Sequence, residues 1–378
     1  MNAVPLSVLD LAPIPAGGTP REALRGTLDL ARRAEEFGYH RYWLAEHHFA
    51  PGVASSAPQV LIGAVAAATE RIRVGSGAVQ TGHWTPLAIV EQFGTLDALH
   101  PGRIDLGLGR SGQRRRAEAA RRPPPDGGGP PPPEARVVDG LLIPKPFDPS
   151  RLAESATVAL MDELLQLPGA EPPAYPGQVD DIIALLEGTY RSARGHPAHV
   201  VPGEGADLRL WILGSSGGES ARVAGERGLP FAANYHVAPA RVLEAVAAYR
   251  EAFKPSAGLD EPYVMVSADV VVARTDERAR ELASPYGVWV HSIRSRLAAV
   301  PFPSPADAAS HRWTDADRAL VADRVDTQFV GAPGTVVERL ETLRRVTGAD
   351  ELLITTITHG HADRVRSYEL LAAEWALA

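Results

Sequence analysis

Three consecutive residues, Glu46, His47 and His48, are the strongest candidates for chemistry in this 378-residue chain. They follow residues 41–45, an apolar run that is typical of a buried strand. An imidazole exchanges a proton near neutral pH, and a neighbouring carboxylate can orient it. In a barrel of parallel strands, the residues that follow a strand lie where reacting groups gather. The placement therefore indicates an active site, although an isolated histidine pair would fit a packed loop equally well.

Two glycine-rich segments that follow predicted strands are candidates for binding an anion. Residues 107–112 fit the dinucleotide fingerprint, but that fingerprint opens a first βα unit, whereas this segment closes the fourth unit. We therefore expect only an anion site here, formed by backbone N–H groups beside Arg110. Residues 213–220 offer amides and hydroxyls at a helix start, unless Ser215 or Ser216 merely caps that helix. Two anion sites on barrel strands suit a phosphorylated cofactor such as a flavin mononucleotide.

The elements that position these residues alternate regularly between short apolar runs and amphipathic helical stretches. Eight strands, each followed by a helix, predict an α/β fold: a (β/α)8 TIM barrel with insertions after strands 4 and 7, in one domain over residues 1–378. A doubly wound open sheet is the alternative. The predicted strands are 4–10, 41–45, 72–76, 103–108, 208–213, 231–234, 263–273 and 351–355.

Two segments interrupt this alternation. Residues 112–150 are rich in proline, glycine and arginine, and we predict a flexible loop there. Residues 284–330 form a predicted insertion before the last strand, on the face of the barrel that carries the site. Candidates for lining a substrate pocket are therefore Trp289 in this insertion, and His83 and Trp84 after the third strand. His359 and His361 follow the last strand, and we weigh them equally as site residues and as plain loop residues.

Composition excludes several classes of function. A net charge of −8 argues against nucleic acid as the main partner, because phosphate backbones need a broad basic face. The chain has no cysteine and no HExxH-like ligand spacing, so we expect no metal site and no thiol redox chemistry. We find no apolar stretch long enough for a membrane span and no signal peptide, and we therefore expect a cytoplasmic protein without a membrane partner.

Several motifs together give this chain a specific resemblance. It is similar to the bacterial luciferase-like flavin monooxygenases over most of its length, most weakly over residues 112–207 and 284–330. The segments that match in register are Leu6–Asp10, Phe37–Phe49, Ile72–Gly77, Glu91–Asp97, Pro101–Arg110 and Gly228–Phe231.

The resemblance implies a (β/α)8 barrel that binds reduced FMN supplied by a separate NAD(P)H-dependent FMN reductase. Dioxygen as co-substrate then forms a flavin 4a-hydroperoxide, which oxygenates a small organic substrate, and the two insertions suggest one as large as a secondary metabolite. A homodimer is also implied. Two alternatives stay open: a non-catalytic flavin-binding partner subunit, and a deazaflavin-dependent oxidoreductase of the same superfamily.

The resemblance also assigns roles to individual residues. His47 matches the catalytic histidine of the family, with Glu46 and His48 beside it. The positions that match cofactor-binding residues are Gly77, Ala78, Arg110, Ser111, Ser215, Ser216 and Ser220. Of these, Arg110 and the serines match phosphate contacts, and Gly77–Ala78 matches a frequent cis peptide beneath the flavin ring. The chain departs from luciferase in having Gly109 in place of a reactive cysteine, and in its proline tract.

Overall fold

Parallel strands surrounded by helices form the centre of this fold. The computed structural model describes residues 4–110, 133–148, 156–167, 170, 173–296 and 298–377. The strands are β1 Leu6–Asp10, β2 Arg41–Leu44, β3 Arg73–Ser76, β4 Val79–Gln80, β5 Ile104–Gly109, β6 Arg136–Val138, β7 Leu141–Ile143, β8 Arg209–Gly214, β9 Phe231–Asn234, β10 Val264–Val272, β11 Phe329–Gly331 and β12 Glu351–Thr355. The α-helices are α1 Pro20–Glu36, α2 Pro58–Ala68, α3 Pro86–Leu99, α4 Ala156–Leu164, α5 Tyr175–Leu186, α6 Glu219–Glu226, α7 Val242–Ala252, α8 Asp276–Ala283, α9 Tyr286–Arg296, α10 Pro305–Ser310, α11 Asp315–Val325, α12 Pro333–Thr347 and α13 His361–Trp375.

Eight of the strands pair in parallel to form a closed ring, in the order β1, β2, β3, β5, β8, β9, β10 and β12. The ring closes because β12 pairs with β1, where Leu6 lies opposite Leu352. The predicted (β/α)8 TIM barrel is therefore confirmed, and the open doubly wound sheet is excluded, because these eight strands leave no edge unpaired. The short strands β4 and β11 pair with β5 and β10.

Side chains along the strands alternate between the inside of the barrel and the layer beneath the helices. In β2, Trp43 is part of the inner cluster, and its ring meets that of Trp211 edge-on with 5.1 Å between centroids. Tyr42 and Leu44 belong to the larger outer cluster that packs against the helices. Both layers are fully buried, so the apolar side chains fill the barrel and fix its register.

Paired charges close the amino end of the barrel. Arg41 forms ion pairs with Asp105 at 2.7 Å and with Glu351 at 3.1 Å, and all three residues are buried. The indole N–H of Trp43 donates a second hydrogen bond to Asp105 at 2.9 Å. Buried charges persist when they are paired and hydrogen-bonded. This layer therefore forms a floor that closes the inside of the barrel at its amino end.

The insertion after the fourth barrel strand, β5, is only partly an irregular loop. Residues 111–132 lie outside the described residues, and so does most of the predicted flexible stretch. Between 133 and 148, however, β6 and β7 form an antiparallel hairpin, with Leu141 and Ile143 buried. The hydroxyl of Tyr235 donates to the carbonyl oxygen of Leu142 at 2.7 Å. The prediction for 112–150 thus needs correction over the hairpin, where alternate apolar residues supply a buried face.

The insertion between β10 and β12 covers the carboxyl end of the barrel. It contains α9, α10, α11 and β11, and Phe302 pairs through backbone hydrogen bonds with Ile14 in the loop after β1. Gly52, in the loop after β2, donates to the carbonyl oxygen of Ala299. The insertion therefore lies over the first two barrel strands, beside the residues that follow β2. Among the described residues, no helix has the length and apolar character that a membrane crossing requires.

Candidate active site

The predicted catalytic residues and the predicted phosphate-binding residues lie at the same rim of the barrel. His47 follows β2 and Arg110 follows β5, and both strands run in the same direction around the ring. The carboxyl ends of parallel strands meet at one face of a barrel. Both residues therefore lie at the carboxyl face of the barrel.

Glu46 is a hydrogen-bonding hub within this rim. Its carboxylate accepts hydrogen bonds from the backbone N–H of Gln80 at 2.8 Å and from the indole of Trp84 at 3.1 Å. Nε2 of His48 lies 2.9 Å from the same carboxylate, which is only 4% exposed. All of these bonds fix neighbouring groups in place. Glu46 therefore positions the rim residues.

Three of the ring-bearing rim residues come together around this hub. The imidazole of His83 meets that of His48 edge-on, with 5.6 Å between ring centroids. His83 ends the 3-10 turn Thr81–His83, and Trp84 follows it directly. The predicted pocket residues His83 and Trp84 are thus placed beside the predicted catalytic segment.

His47 differs from its neighbours because its side chain is not engaged by Glu46. Its backbone N–H donates to the carbonyl oxygen of Ser55 at 2.8 Å, which fixes the chain at this point. The imidazole is exposed to solvent at the rim, although protein surrounds it on the other sides. This surrounding protein lowers the pKa of His47, whereas the charge of Glu46 raises it and His48 lowers it. The ring is therefore neutral at physiological pH and open to a ligand.

Two glycines near the rim lie where neighbouring atoms leave no room for a side chain. The peptide bond between Gly77 and Ala78 is cis, at the position where the resemblance places such a bond. A Cβ on Gly77 would lie 2.6 Å from Leu9 Cδ1, and one on Gly107 would lie 2.1 Å from the carbonyl oxygen of Ser76. The neighbouring protein atoms therefore leave no room for a side chain at either position.

The predicted phosphate-binding residues after β5 and β8 are brought together. Nη1 of Arg110 lies 3.3 Å from a carboxylate oxygen of Glu219, the first residue of α6. A Cβ built on Gly218 would lie 3.9 Å from Nη2 of Arg110. Buried Ser220 forms a hydrogen bond with Tyr175, whose pKa is raised by burial. Ser111 lies outside the described residues.

The start of α6 is not capped by a side chain. Gly218 is the N-cap residue and makes no side-chain cap hydrogen bond, so neither Ser215 nor Ser216 acts as the cap. Both serines lie half-buried in the turn before it. The first N–H groups of a helix need an acceptor, and the helix dipole favours an anionic one. Because Arg110 lies beside these groups, the arrangement suits a phosphate.

Three further predicted candidates make contacts away from the rim. Trp289 is 4% exposed and packs against Tyr286 and Phe302, so it belongs to the core under the insertion and does not line open space. Nε2 of His359 lies 3.1 Å from the carbonyl oxygen of Ala16, and Nε2 of His361 lies 2.9 Å from Asp29. Both histidines thus serve contacts between the last and first βα units.

The structure adds a second polar group at the rim that the sequence analysis missed. His236 follows β9, and its Nδ1 lies 2.5 Å from the hydroxyl oxygen of Ser267 in β10. Two residues further along β10, Asp269 hydrogen-bonds with Tyr286 and forms an ion pair with Arg324 at 3.4 Å. The signal was present in β10, because Ser267 and Asp269 are polar at a spacing of two in an apolar strand.

Within the described part of the chain, no three His, Asp or Glu side chains cluster in a way that could hold a metal ion.

Comparisons with known proteins identify the family and the fold of this chain. The family model for luciferase-like monooxygenases matches residues 4–351. A luciferase-like monooxygenase of Escherichia coli (strain K12) is 36% identical over 372 residues, covering 98% of this chain and 96% of that protein. The crystal structure of apo-MsnO8 is 31% identical with a TM-score of 0.77, covering 100% of this chain and 99% of that one. The oxygenating constituent of 3,6-diketocamphane monooxygenase from Pseudomonas putida, in complex with FMN, has a TM-score of 0.65 at 19% identity and covers 99% and 98%, a likeness in fold alone. This chain belongs to the luciferase-like monooxygenase family.

Proposed function

We propose that this protein is a two-component monooxygenase that uses reduced FMN and dioxygen to oxygenate an organic substrate. The observation that carries the proposal is the convergence, at one rim, of Arg110 and the uncapped start of α6 with the segment 46–48. When bound, the reduced flavin supplies the electrons with which dioxygen is activated. The family supports an oxidoreductase, and one relative of the same fold is an FMN complex.

The phosphate end of the cofactor would be held by Arg110 and α6. The guanidinium provides forked, permanently charged donors, and the amides after Gly218 point from the positive end of the helix. The ion pair of Arg110 with Glu219 is long, at 3.3 Å, and Glu219 is half-buried. Glu219 therefore holds the arginine in place weakly, and an incoming phosphate has to compete with it.

The ring of the cofactor would lie against the glycines at the inside of the rim. No side chain fits at Gly77 or Gly107, and Ala78 adds only a methyl group. On the opposite side of the barrel mouth, the hydroxyl of Thr355 is buried at the end of β12 and has no hydrogen-bond partner among the described residues. A buried hydroxyl without a partner is costly, so a polar edge of a ligand fits that place.

His47 is the residue suited to hold or move the proton during the reaction. Its ring is neutral and accessible, whereas His48 is held by Glu46. A neutral imidazole accepts a proton at one nitrogen and donates from the other, which is what a proton carrier needs. The hydrogen bonds of Glu46 with His48 and Trp84 then fix this segment, so that the His47 side chain keeps its orientation.

We propose that a separate NAD(P)H-dependent reductase supplies the reduced FMN. The chain contains no cysteine, and its only glycine fingerprint lies at the fourth βα unit, which argues against a nicotinamide site of its own.

The resemblance also supports a homodimer. Light scattering after size exclusion tests this, and a particle with the mass of one chain would contradict it.

Binding of the phosphate provides the first test. Anaerobic titration of the protein with reduced FMN and with reduced riboflavin, which lacks the phosphate, should give tighter binding of FMN. Arg110→Gln should weaken reduced FMN binding about ten- to hundredfold, as expected for a charged hydrogen bond, while riboflavin binding stays unchanged. Glu219→Gln should tighten FMN binding severalfold, because a competing charge is removed.

The matched control is Arg209→Gln, because Arg209 is an exposed arginine at the amino end of β8. It should leave the binding of both flavins unchanged. Equal binding of FMN and riboflavin by the wild-type protein would contradict the phosphate assignment.

Turnover provides the second test. With FMN, a reductase and a panel of organic substrates, oxygen should be incorporated into product, and His47→Ala should abolish product while flavin binding is retained. Flavin binding without oxygen consumption would instead indicate the partner-subunit alternative. Hydride transfer with a deazaflavin coenzyme would indicate the third alternative.

A further inference from the structure

His236 lies in a chain of hydrogen bonds that determines which of its ring nitrogens carries the proton. The hydroxyl of Ser267 donates to the carbonyl oxygen of Ala233 at 3.4 Å. Nδ1 of His236 lies 2.5 Å from the same hydroxyl oxygen. When the Ser267 hydroxyl donates to Ala233, its oxygen accepts from Nδ1, and Nδ1 bears the hydrogen in this arrangement. Nε2 is left with a lone pair and no proton.

This unprotonated nitrogen is available to a ligand. Within the residues that the structure describes, Nε2 of His236 has no hydrogen-bond partner. The ring is half-buried at the mouth of the barrel, close enough to His47 for the charge of one to act on the other. Burial, the nearby Arg324 guanidinium and His47 lower the pKa of His236 to about 3. The ring thus stays neutral, and Nε2 stays an acceptor.

The surrounding contacts hold this arrangement in place. Tyr235, the preceding residue, is anchored through its hydroxyl on the hairpin at Leu142. Arg324 is fixed by a hydrogen bond from its Nε to the Tyr286 hydroxyl at 3.0 Å and by its ion pair with Asp269. The position of the His236 ring is therefore set by strands and helices, and not by a free loop.

We propose that His236 is a substrate-binding residue, whose Nε2 accepts a hydrogen bond from a hydroxyl group of the organic substrate. The inference rests on the proposed function, since it places the substrate at the rim beside His47. A hydroxyl group can donate this hydrogen bond, whereas an ether oxygen cannot. The substrate class is therefore phenols and alcohols, in preference to ethers of the same shape.

The test uses phenol and anisole as probes, because they share a ring and differ in the donor. Nuclear magnetic resonance of the full-length protein with ¹⁵N-labelled histidine, first alone and then with saturating FMN, identifies the tautomer of His236. We expect the Nδ1-protonated form. Phenol should move the Nε2 resonance and bind about tenfold more tightly than anisole, the effect of one hydrogen bond.

Variants separate the hydrogen bond from general packing. His236→Asn keeps an amide near Ser267 but has no atom at the place of Nε2, and it should bind phenol and anisole equally. His236→Gln extends its amide toward that place and should regain part of the preference. His199→Gln, at an exposed histidine paired with Glu204, is the matched control and should keep the full preference.

A proton on Nε2, the absence of any phenol-induced shift up to the solubility limit, or an unchanged preference in His236→Asn would overturn the inference. These measurements need neither oxygen nor turnover. A protein that fails to bind reduced FMN but shows the expected tautomer and preference would contradict the proposed function alone.

Discussion

Removing the carboxylate of Glu46 should loosen the rim by an amount that the structure lets us estimate. Glu46→Ala leaves the N–H of Gln80, the indole of Trp84 and the imidazole of His48 without their acceptor. Each orphaned donor costs about 1–3 kcal/mol, and water at the rim recovers part of this, so the free energy of unfolding should fall by roughly 2–4 kcal/mol. At about 2.1 cal/mol/K per residue, that lowers the Tm by roughly 3–5 °C.

Glu46→Gln should lose about half as much. Its single carbonyl oxygen can still serve His48 and Trp84, but its NH2 group then opposes the N–H of Gln80. Guanidinium unfolding and calorimetry measure both variants. Glu70→Gln is the control, because the Glu70 side chain is 85% exposed, and it should change stability by less than about 0.5 kcal/mol. If Glu46→Ala were as stable as this control, Glu46 would not be the hub described here.

Further predictions concern the barrel itself. Burial raises the pKa of Asp10, but Arg364, Tyr42 and Thr27 together lower it by more. The carboxylate therefore stabilises the fold above its usual pKa of 3.8, and this stabilisation is lost as the pH falls through the lowered pKa. Asp10→Asn should lower the free energy of unfolding by about 3–5 kcal/mol at pH 7, because Arg364 is left buried without its partner. The variant should also lose less stability than the wild-type protein as the pH falls below 3.8. An unchanged loss of stability at acid pH in unfolding measurements would refute this. Gly94→Ala should destabilise by about 1–3 kcal/mol, because its Cβ would lie 2.3 Å from Gly203 Cα. Gly177→Ala, in α5 with nothing within 4 Å, should stabilise by about 0.5–1 kcal/mol, and equal effects of the two alanines in urea unfolding would contradict the packing argument.

The barrel strands were predictable because each is buried on both faces and reads as an apolar run between helices. The start of α1 was predictable too, since Thr19 and Pro20 form the expected cap. The hairpin β6–β7 was not, because half of its residues are exposed and it follows a proline tract that dominates the local composition. Tertiary contact with Tyr235, remote in sequence, holds it in place.

The candidate site was predictable where chemistry and strand ends coincide, as at His47 and Arg110. His236 follows a predicted strand in the same way, yet nothing local distinguishes it from a loop histidine. Its importance comes from Ser267 and Arg324, which lie 31 and 88 residues further along the chain. Conversely, the position of Glu46 beside two histidines at a strand end predicts an acid–base residue. In the fold its carboxylate accepts three hydrogen bonds, from groups that the sequence alone does not bring together.

A crystal structure of the protein with FMN bound tests the central claim most directly. We predict the phosphate within hydrogen-bonding distance of Arg110 and the amides after Gly218, and the flavin ring against Gly77–Ala78 with His47 at its edge. A flavin bound instead in the cleft of about 680 Å³ at the amino ends of the strands, beside Arg209 and Tyr263, would contradict the account.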